Sequence, residues 1–306
     1  MIDRFGRVID YMRVSVTDKC NLNCFYCKTG PPKPLCHGDT LSIEQFSAVV
    51  KAFCEKGGKK IRITGGEPLV RKGVLTLVEN IVSYGADVGM TTNGALLTEY
   101  ASDLKKAGLK NLNVSLDTLD KDVYRKINGG DLKAVTDGIK LCAKLGFDLK
   151  INAVLLKGIN DDIYPLAEFA ESVGASVRFI ELMPFGPTEK YFAQRFISAA
   201  DTAKKFNLKK AERTGHVTYY DSKIGRIGFI TPLSEKFCSS CNRLRLTCTG
   251  KVMPCLHSPV TFDLKPYLDD AEKIKEILQE AAWAKQECHR LDEGILQTEE
   301  MSSIGG

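Results

Sequence analysis

The sequence of 306 residues lacks several features that would assign it to a broad class at once. No hydrophobic run approaches the roughly 18 residues that a membrane-spanning helix needs, and residues 1–13 carry no apolar core of signal-peptide length. Basic low-complexity arms and basic stripes interleaved with aromatic residues, which are typical of nucleic-acid-binding proteins, are also missing. We therefore expect a cytoplasmic protein with neither a membrane nor a nucleic acid as its partner.

Net charge and cysteine content point to a different kind of ligand. The net charge of +5 is mild and suits an anionic small-molecule substrate. Eleven cysteines are many for a chain of this length, and a reducing compartment disfavours a disulfide framework for them. Six of the eleven form two tight groups, a clustering that indicates metal binding: Cys20, Cys24 and Cys27, then Cys238, Cys241 and Cys255.

The first two thirds of the chain alternate between strand-like and helix-like runs. The predicted strands are residues 11–17, 60–64, 87–92, 111–117, 149–155 and 176–182, and the predicted helices are 42–56, 73–84, 98–107, 132–145 and 163–172. Ser42 and Gln45 have the spacing of a capping box. Six strand–helix repeats predict a parallel α/β sheet with right-handed crossovers, closed or partly closed into a six-stranded βα barrel. Ligand chemistry is expected at the carboxyl ends of its strands, although an open doubly wound sheet would place ligands similarly.

The pattern changes after about residue 211. Short strands are predicted at residues 216–221, 226–231 and 244–249, with a hairpin at 249–251, and a charged helix at about 269–287. We therefore expect a barrel domain over residues 1–210 and a small C-terminal domain of antiparallel β-structure plus helix over 211–306, packed over the barrel mouth.

The first cysteine group has the spacing Cys20-x-x-x-Cys24-x-x-Cys27. Three thiolates can hold three irons of a 4Fe–4S cube and leave the fourth iron open, much as a catalytic zinc keeps one position free. A structural zinc site is the alternative, with Cys36 or His37 as a fourth ligand. One strand later comes Gly65-Gly66-Glu67-Pro68, whose glycines allow close approach of the backbone to a ligand and whose carboxylate can accept from an ammonium.

The second cysteine group has no obvious fourth ligand. Cys248 lies within it and is a candidate for completing a zinc site, so zinc and iron both stay open here. Arg243 and Arg245 follow Cys241 at alternate positions and would share one face of a strand. Two guanidinium groups beside a metal form a good polyphosphate clamp, whereas the ordinary interpretation is a solvated strand face.

These motifs carry a resemblance to known families. The Cys-x-x-x-Cys-x-Tyr-Cys run and Gly-Gly-Glu-Pro resemble the radical SAM (S-adenosylmethionine) superfamily. The run Asp-Tyr-Met-Arg-Val-Ser-Val-Thr-Asp-Lys-Cys at residues 10–20, the second triad, Asn-Arg-Leu-Arg and the terminal Ile-Gly-Gly resemble the GTP 3′,8-cyclase family over nearly the whole chain. The resemblance implies a lyase that cyclises GTP in molybdenum cofactor biosynthesis, with two 4Fe–4S clusters and SAM as cofactors.

The resemblance also implies roles for individual residues. Cys20, Cys24, Cys27 and Arg13 form the implied catalytic set, and SAM contacts fall on Tyr26, Gly66, Glu67, Ser115 and Met183. Substrate positions fall on Arg13, Lys60, Arg62, Thr91, Lys150, Arg178, Arg243 and Arg245. The second cluster, on Cys238, Cys241 and Cys255, would bind the guanine of GTP, and the Gly305-Gly306 tail is expected to reach into the site. The resemblance implies a flavodoxin or ferredoxin as reductant and cyclic pyranopterin monophosphate synthase as the downstream enzyme. A homodimer is compatible with this resemblance.

Some segments depart from the family pattern. Lys28-Thr29 replaces the Met-Pro that often follows the third cysteine, and residues 30–38 are proline-rich and contain Cys36. Two other functions are kept as alternatives. A radical SAM peptide or cofactor maturase would bind a peptide instead of a nucleotide. A non-catalytic zinc or RNA-binding module would cleave no SAM and would bind RNA with a strong salt dependence.

Overall fold

The computed structural model describes residues 1–27, 39–184, 186–291 and 304–305. The departing segment 30–38 with Cys36, and the last residue Gly306, lie outside the described residues. The strands are β1 (Tyr11–Ser15), β2 (Lys60–Thr64), β3 (Asp87–Thr92), β4 (Asn111–Ser115), β5 (Asp148–Leu155), β6 (Ser176–Glu181), β7 (Lys209–Thr214), β8 (Val217–Ser222), β9 (Gly225–Ile230), β10 (Arg243–Leu246), β11 (Lys251–Met253) and β12 (Phe262–Asp263). The α-helices are α1 (Ile43–Glu55), α2 (Val74–Ser83), α3 (Leu97–Lys106), α4 (Lys121–Asn128), α5 (Leu132–Lys144), α6 (Tyr164–Ser172), α7 (Phe192–Arg195), α8 (Ala199–Lys205) and α9 (Ala271–Trp283).

The described strands form one sheet in the order β12-β11-β10-β1-β2-β3-β4-β5-β6-β9-β8-β7. Strands β1 to β6 are consecutive neighbours and run parallel. The two end strands, β12 and β7, do not pair with each other, so the sheet stays open. The predicted parallel βα partial barrel with six consecutive strands is therefore confirmed.

Local signals in the sequence located these elements well. Each of the six barrel strands ends within two residues of its predicted bounds, and β2 and β3 match them fully. The capping box at the start of α1 is present, because Gln45 N donates to Ser42 Oγ at 3.2 Å and Ser42 N donates to Gln45 Oε1 at 2.8 Å. The prediction omitted α4, α7, α8, β7 and β12. No helix in the described part of the chain is long and apolar enough to cross a bilayer.

The C-terminal strands differ from expectation in where they lie. Antiparallel pairing is confirmed for β7-β8-β9 and for β10-β11-β12. These strands extend the barrel sheet at both edges instead of forming a layer over its mouth, since β9 pairs in parallel with β6 and β10 with β1. An open parallel sheet leaves two edges of unpaired backbone groups, and the returning chain pairs with both. The predicted boundary between residues 210 and 211 falls within β7 and stays a prediction.

The two faces of the barrel sheet have opposite character. Residues that point outward toward the helices are apolar and fully buried, as are Met12, Val14, Ile61 and Ile63. The alternating residues point inward and are mostly polar or charged, beginning with Arg13 and Arg62. Side chains alternate between the two faces of a strand, so this pattern gives a hydrophobic outer layer and a polar interior.

Candidate active site

The polar interior is a cavity of about 510 Å³. The inward faces of β1 to β6 and of β8 to β10 line it, together with the loop that follows β1. All six cysteines of the two predicted groups reach its wall: Cys20, Cys24, Cys27, Cys238, Cys241 and Cys255. The structure thus brings together two cysteine groups that lie more than 200 residues apart in the sequence.

The first cysteine group lies in the loop after β1, at the carboxyl end of the barrel. Cys27 N donates to Cys24 O at 3.0 Å and closes a tight turn between these two ligands. The sulfur of Cys20 accepts from Leu22 N at 3.4 Å and from Asn93 Nδ2 at 3.7 Å. Donors of this kind stabilise negative charge on sulfur, as a metal-bound thiolate requires.

Acidic and apolar surroundings shift the pKa values of residues at the first cysteine group. Burial, together with Asp117 and the neighbouring cysteines, raises the pKa of the Cys24 thiol above its ordinary value. Tyr26 donates its hydroxyl to Asp117 Oδ2 at 2.6 Å, and burial raises the pKa of Asp117 to about 6. The ring of Tyr26 lines the cavity, but its hydroxyl already has a partner in Asp117.

Glycines bring the loop after β2 against the cysteine loop. A Cβ atom at Gly66 would lie 2.4 Å from the carbonyl oxygen of Lys19, and one at Gly65 would lie 2.6 Å from that of Thr17. Only residues without a side chain allow this approach. Both glycines line the cavity, as expected for a backbone that approaches a ligand closely.

Glu67 takes part in a buried hydrogen-bond network next to the motif glycines. It is fully buried and is not among the residues that line the cavity. Its carboxylate accepts from Leu69 N at 3.0 Å, Thr92 Oγ1 at 2.7 Å and Asn93 N at 2.7 Å. Burial outweighs these bonds and raises the pKa of Glu67 to about 7. In the described structure Glu67 ties the loop after β2 to the loop after β3.

A wall of positive charge faces both cysteine groups. Strand register places Arg245, Arg13 and Arg62 side by side on β10, β1 and β2. Asp117 and Glu181 are the carboxylates among the lining residues. All seven cations predicted for the substrate line the cavity: Arg13, Lys60, Arg62, Lys150, Arg178, Arg243 and Arg245.

Tyr11 holds several of these cations in place. Its hydroxyl accepts from Arg62 Nε at 3.3 Å, and the Arg243 guanidinium lies 5.6 Å from its ring centroid. Although burial acts in the opposite direction, Arg13, Arg62 and Arg243 lower the pKa of Tyr11 to about 8. Gly89 leaves room for the Arg62 side chain, because a Cβ there would lie 2.5 Å from Arg62 Nη1.

Some of these cations already have a hydrogen-bond or ion-pair partner within the protein. Arg243 Nη2 donates to Nδ1 of His216 at 2.5 Å; burial and Arg243 lower the pKa of that histidine to about 2, which keeps it a neutral acceptor. Lys60 lies 3.7 Å from Asp87 and Lys150 pairs with Asp148, both at the rim.

The C-terminal tail occupies part of the same wall. Arg245 Nη1 donates to the carbonyl oxygens of Ile304, at 3.4 Å, and of Gly305. A Cβ at Gly305 would lie 2.8 Å from Thr64 Cγ2 and 3.1 Å from Ser15 Cβ. The tail therefore reaches into the site through Gly305, and part of the hydrogen-bonding capacity of Arg245 goes to it.

Several buried polar atoms on the cavity wall have no hydrogen-bond partner within the described chain. They are Thr91 Oγ1, Asn113 Oδ1, Asn152 Oδ1, Arg178 Nε and Arg243 Nε. Buried polar atoms are almost always paired in folded proteins, so these atoms fit a polar ligand that supplies both donors and acceptors. The predicted SAM residues Ser115 and Met183 line the same cavity.

Cations surround the second cysteine group. Although burial acts in the opposite direction, Lys285 and Arg243 lower the pKa of Cys241. Burial and the thiol of Cys288, which contacts Cys238, raise the pKa of Cys238 to about 12. Cys248, the predicted candidate for a fourth ligand, is buried and does not line the cavity.

Comparison with known proteins identifies the family. The model of the radical SAM superfamily matches residues 14–170, and the model named Molybdenum Cofactor Synthesis C matches residues 175–291. The GTP 3′,8-cyclase of Alkaliphilus oremlandii is 42% identical over 322 residues and that of Desulforamulus reducens 42% over 328, each covering 100% of both chains. The chain belongs to the GTP 3′,8-cyclase family.

Solved structures agree with the fold of this cyclase family member. Streptococcus suis SuiB bound to S-adenosylmethionine superposes with a TM-score of 0.63 at 14% identity, covering 86% of this chain and 65% of that one. The native anSMEcpe structure with bound AdoMet gives a TM-score of 0.55 at 15% identity and covers 87% and 82%. At such identities the likeness shows the shared α/β radical SAM architecture.

The cysteine groups of the cyclase fit iron–sulfur clusters. A member of this family carries two 4Fe–4S clusters and uses SAM. Within the ranges that the structure describes, no three His, Cys, Asp or Glu side chains converge closely enough for a single metal ion. In a 4Fe–4S cube each thiolate binds a different iron, and the three cysteines of each group line the cavity in which such a cube would lie.

Some residues of this site were not predicted from the sequence. Tyr11 had no predicted role, although it stands in the strand with Arg13, and the alternating polar pattern of β4 could have indicated Asn113. Lys285 and Cys288 lie 30 and 33 residues beyond Cys255, at no ligand spacing, so no local signal marked them.

Proposed function

We propose that the two ends of the cavity divide the reaction of a GTP 3′,8-cyclase between them. Cys20, Cys24 and Cys27 hold the cluster that binds SAM, with Gly66, Tyr26, Ser115 and Met183 around the cofactor. The glycine contacts and the unpartnered atoms of the cavity wall support this assignment. Glu67 serves SAM indirectly, by fixing the loops on which Gly66 and Asn93 lie.

The positive wall binds GTP. Seven cations against two carboxylates on the lining of one cavity is the observation that carries this proposal. Buried charges require compensation, and a triphosphate supplies several negative charges at once. Arg13, Arg243 and Arg245 hold the triphosphate, while Lys60, Arg62, Lys150, Arg178 and Thr91 contact the remainder of the nucleotide. Cys238, Cys241 and Cys255 hold the second cluster beside the guanine.

When bound on Cys20, Cys24 and Cys27, the first cluster and SAM would supply the radical chemistry that joins the ribose 3′ carbon of GTP to guanine C8. The residues of the chain orient the two reactants across the cavity and exclude water. Tyr11 keeps Arg62 and Arg243 directed inward.

The cellular setting follows from the same reaction. A flavodoxin or ferredoxin supplies the electron, and cyclic pyranopterin monophosphate synthase consumes the product. We place the protein in the cytoplasm, with residues 1–210 and 211–306 as its functional units, and a homodimer is compatible with this assignment.

An anaerobic assay tests the proposal. The chain is reconstituted with iron and sulfide, reduced with dithionite and incubated with SAM and GTP, and the products are analysed by mass spectrometry. We expect 5′-deoxyadenosine together with a cyclised isomer of GTP. Deoxyadenosine without a GTP product would favour a peptide or cofactor maturase, and intact SAM with iron bound would contradict the proposal.

A further inference from the structure

Lys285 follows α9 and contacts the loops that carry the second cysteine group. Its side chain is buried, with 2% exposed. Its Nζ atom donates to the carbonyl oxygens of Arg243 and Pro254, each at 2.7 Å, and to the sulfur of Cys241 at 3.8 Å. Arg243 comes two residues after Cys241, and Pro254 directly precedes Cys255. One ammonium group therefore joins the two loops that present these cysteines.

The charge of this ammonium needs a partner. Burying a cation is costly unless negative charge compensates for it. Within the described ranges, its hydrogen-bond partners are two carbonyls and one sulfur, with no carboxylate among them. A thiolate of Cys241, and the anionic cluster that it would bind, supply the missing negative charge at the observed contact.

The backbone around Lys285 is held in place, so the contact is a built feature of the fold. Lys285 N donates to Ala282 O at 3.2 Å at the end of α9. Arg7 Nη2 donates to the carbonyl oxygen of Gln286 at 2.8 Å, and its Nη1 donates to that of Cys238 at 2.6 Å. The N-terminal segment thus fixes the residue after Lys285 and the turn that carries Cys238 together.

We propose that Lys285 is a positioning residue of the second cluster, which holds the loops of Cys241 and Cys255 and raises the reduction potential of the cluster through its N–H contact with the Cys241 sulfur. Hydrogen bonds and positive charge at cluster sulfurs favour the more negative, reduced state. The inference rests on the proposed assignment of a 4Fe–4S cluster to Cys238, Cys241 and Cys255.

The test measures the reduction potential of this cluster alone. The full-length chain with Cys20→Ser, Cys24→Ser and Cys27→Ser is reconstituted, so that the remaining cluster signal comes from the second group. Potentiometric titration followed by electron paramagnetic resonance compares Lys285→Met, Lys285→Arg and the control Lys273→Met, which removes an exposed cation on α9. We expect a more negative potential in Lys285→Met, a smaller shift in Lys285→Arg, and none in Lys273→Met.

Each outcome decides the inference. An unchanged potential and unchanged spectrum in Lys285→Met would overturn it. Iron lost from Lys285→Met but retained in Lys285→Arg, with equal thermal melting of both, would support the loop-holding role. If Lys285→Met does not fold, Lys285→Gln replaces it under the same criteria. If the parent chain binds no iron, the cluster assignment itself is wrong. Measuring the iron content distinguishes this outcome from an unchanged potential.

Discussion

The two cysteine groups share one cavity but differ in the charges nearest to one thiol of each, Cys24 in the first group and Cys241 in the second. Around the first, burial, Asp117 and the other cysteines raise the pKa of Cys24. Around the second, Lys285 and Arg243 overcome burial and lower the pKa of Cys241. Positive surroundings stabilise a thiolate before any metal binds, whereas the first group gains its charge stabilisation from N–H donors to Cys20.

This difference matches the ligands proposed for each group. SAM is a cation at its sulfonium, so it needs no further positive charge from the protein at that end of the cavity. GTP brings several negative charges, and the cations at the second group compensate for them. We therefore expect each reactant to bind beside the cysteine group proposed for it.

Removing a ligand from each group is the strongest way to sharpen this comparison. Cys24→Ala should abolish SAM cleavage down to the uncatalysed background, because the first cluster loses a ligand. Cys241→Ala should retain SAM cleavage and lose the cyclised GTP product. Mass spectrometry of both products measures this, and Cys54→Ala, a half-buried thiol on α1, is the matched control. Equal loss of both products in Cys241→Ala would contradict the division of roles.

The first region should contribute a pH dependence to stability through Glu67. The pKa of Glu67 is about 7 in the folded chain against 4.5 for an ordinary glutamate, so its contribution to stability is present below pH 4.5 and is lost as the pH rises through 7. The free energy of unfolding should fall over this window by up to about 3 kcal/mol on account of Glu67.

Urea unfolding of the metal-free chain at several pH values measures this effect. Glu67→Gln should lack that part of the slope, because its amide does not titrate. If wild type and Glu67→Gln show the same slope between pH 4.5 and 7, the assignment to Glu67 is wrong.

The positive wall should dominate nucleotide affinity. Arg243→Ala should weaken GTP binding about 10- to 150-fold, because hydrogen bonds to charged groups contribute about 1.5–3 kcal/mol. Isothermal titration calorimetry measures the change. Arg226→Ala is the matched control, since Arg226 is exposed on β9 and pairs with Glu212 outside the cavity. Unchanged affinity in Arg243→Ala would remove this residue from the clamp.

The smallest effect concerns which sulfurs belong to the second group. Cys248→Ala should leave the iron content per chain unchanged and lower the free energy of unfolding by about 1 kcal/mol, as a small core truncation does. Cys255→Ala should remove about half of the iron. Metal analysis with denaturant unfolding measures both. Metal loss in Cys248→Ala would instead support the alternative that the sequence left open, a zinc site with Cys248 as its fourth ligand.

Local and periodic signals made much of this molecule predictable. The alternation of strand-like and helix-like runs indicated the parallel sheet, and with it the strand ends at which ligand chemistry was expected. The cysteine spacing indicated two metal groups, and both face the cavity. In each case the information lies within a few residues of sequence, which is the range over which spacing and periodicity act.

What the sequence did not reveal depends on chain segments that meet only after folding. Lys285 and Cys288 reach the second group because the chain turns back after α9, and nothing near them in sequence carries that information. The orientation of Glu67, away from the cavity, depends on bonds from Thr92 and Asn93 in the next loop. Strands β9 and β10 were predicted as strands, but their pairing with β6 and β1 is a long-range event.

The pairing of β1 with β10 has a consequence for synthesis on the ribosome. About 230 residues separate Ser15 from Arg243, which take roughly 10–50 s to translate at about 5–20 residues per second. During this interval β1 emerges with one edge of its backbone unpaired, a state that invites association with other chains. The wall that carries Arg13 and Arg245 together therefore forms only at the end of translation, and reactive metal centres can assemble on both sides of the cavity only after the nascent chain is nearly finished.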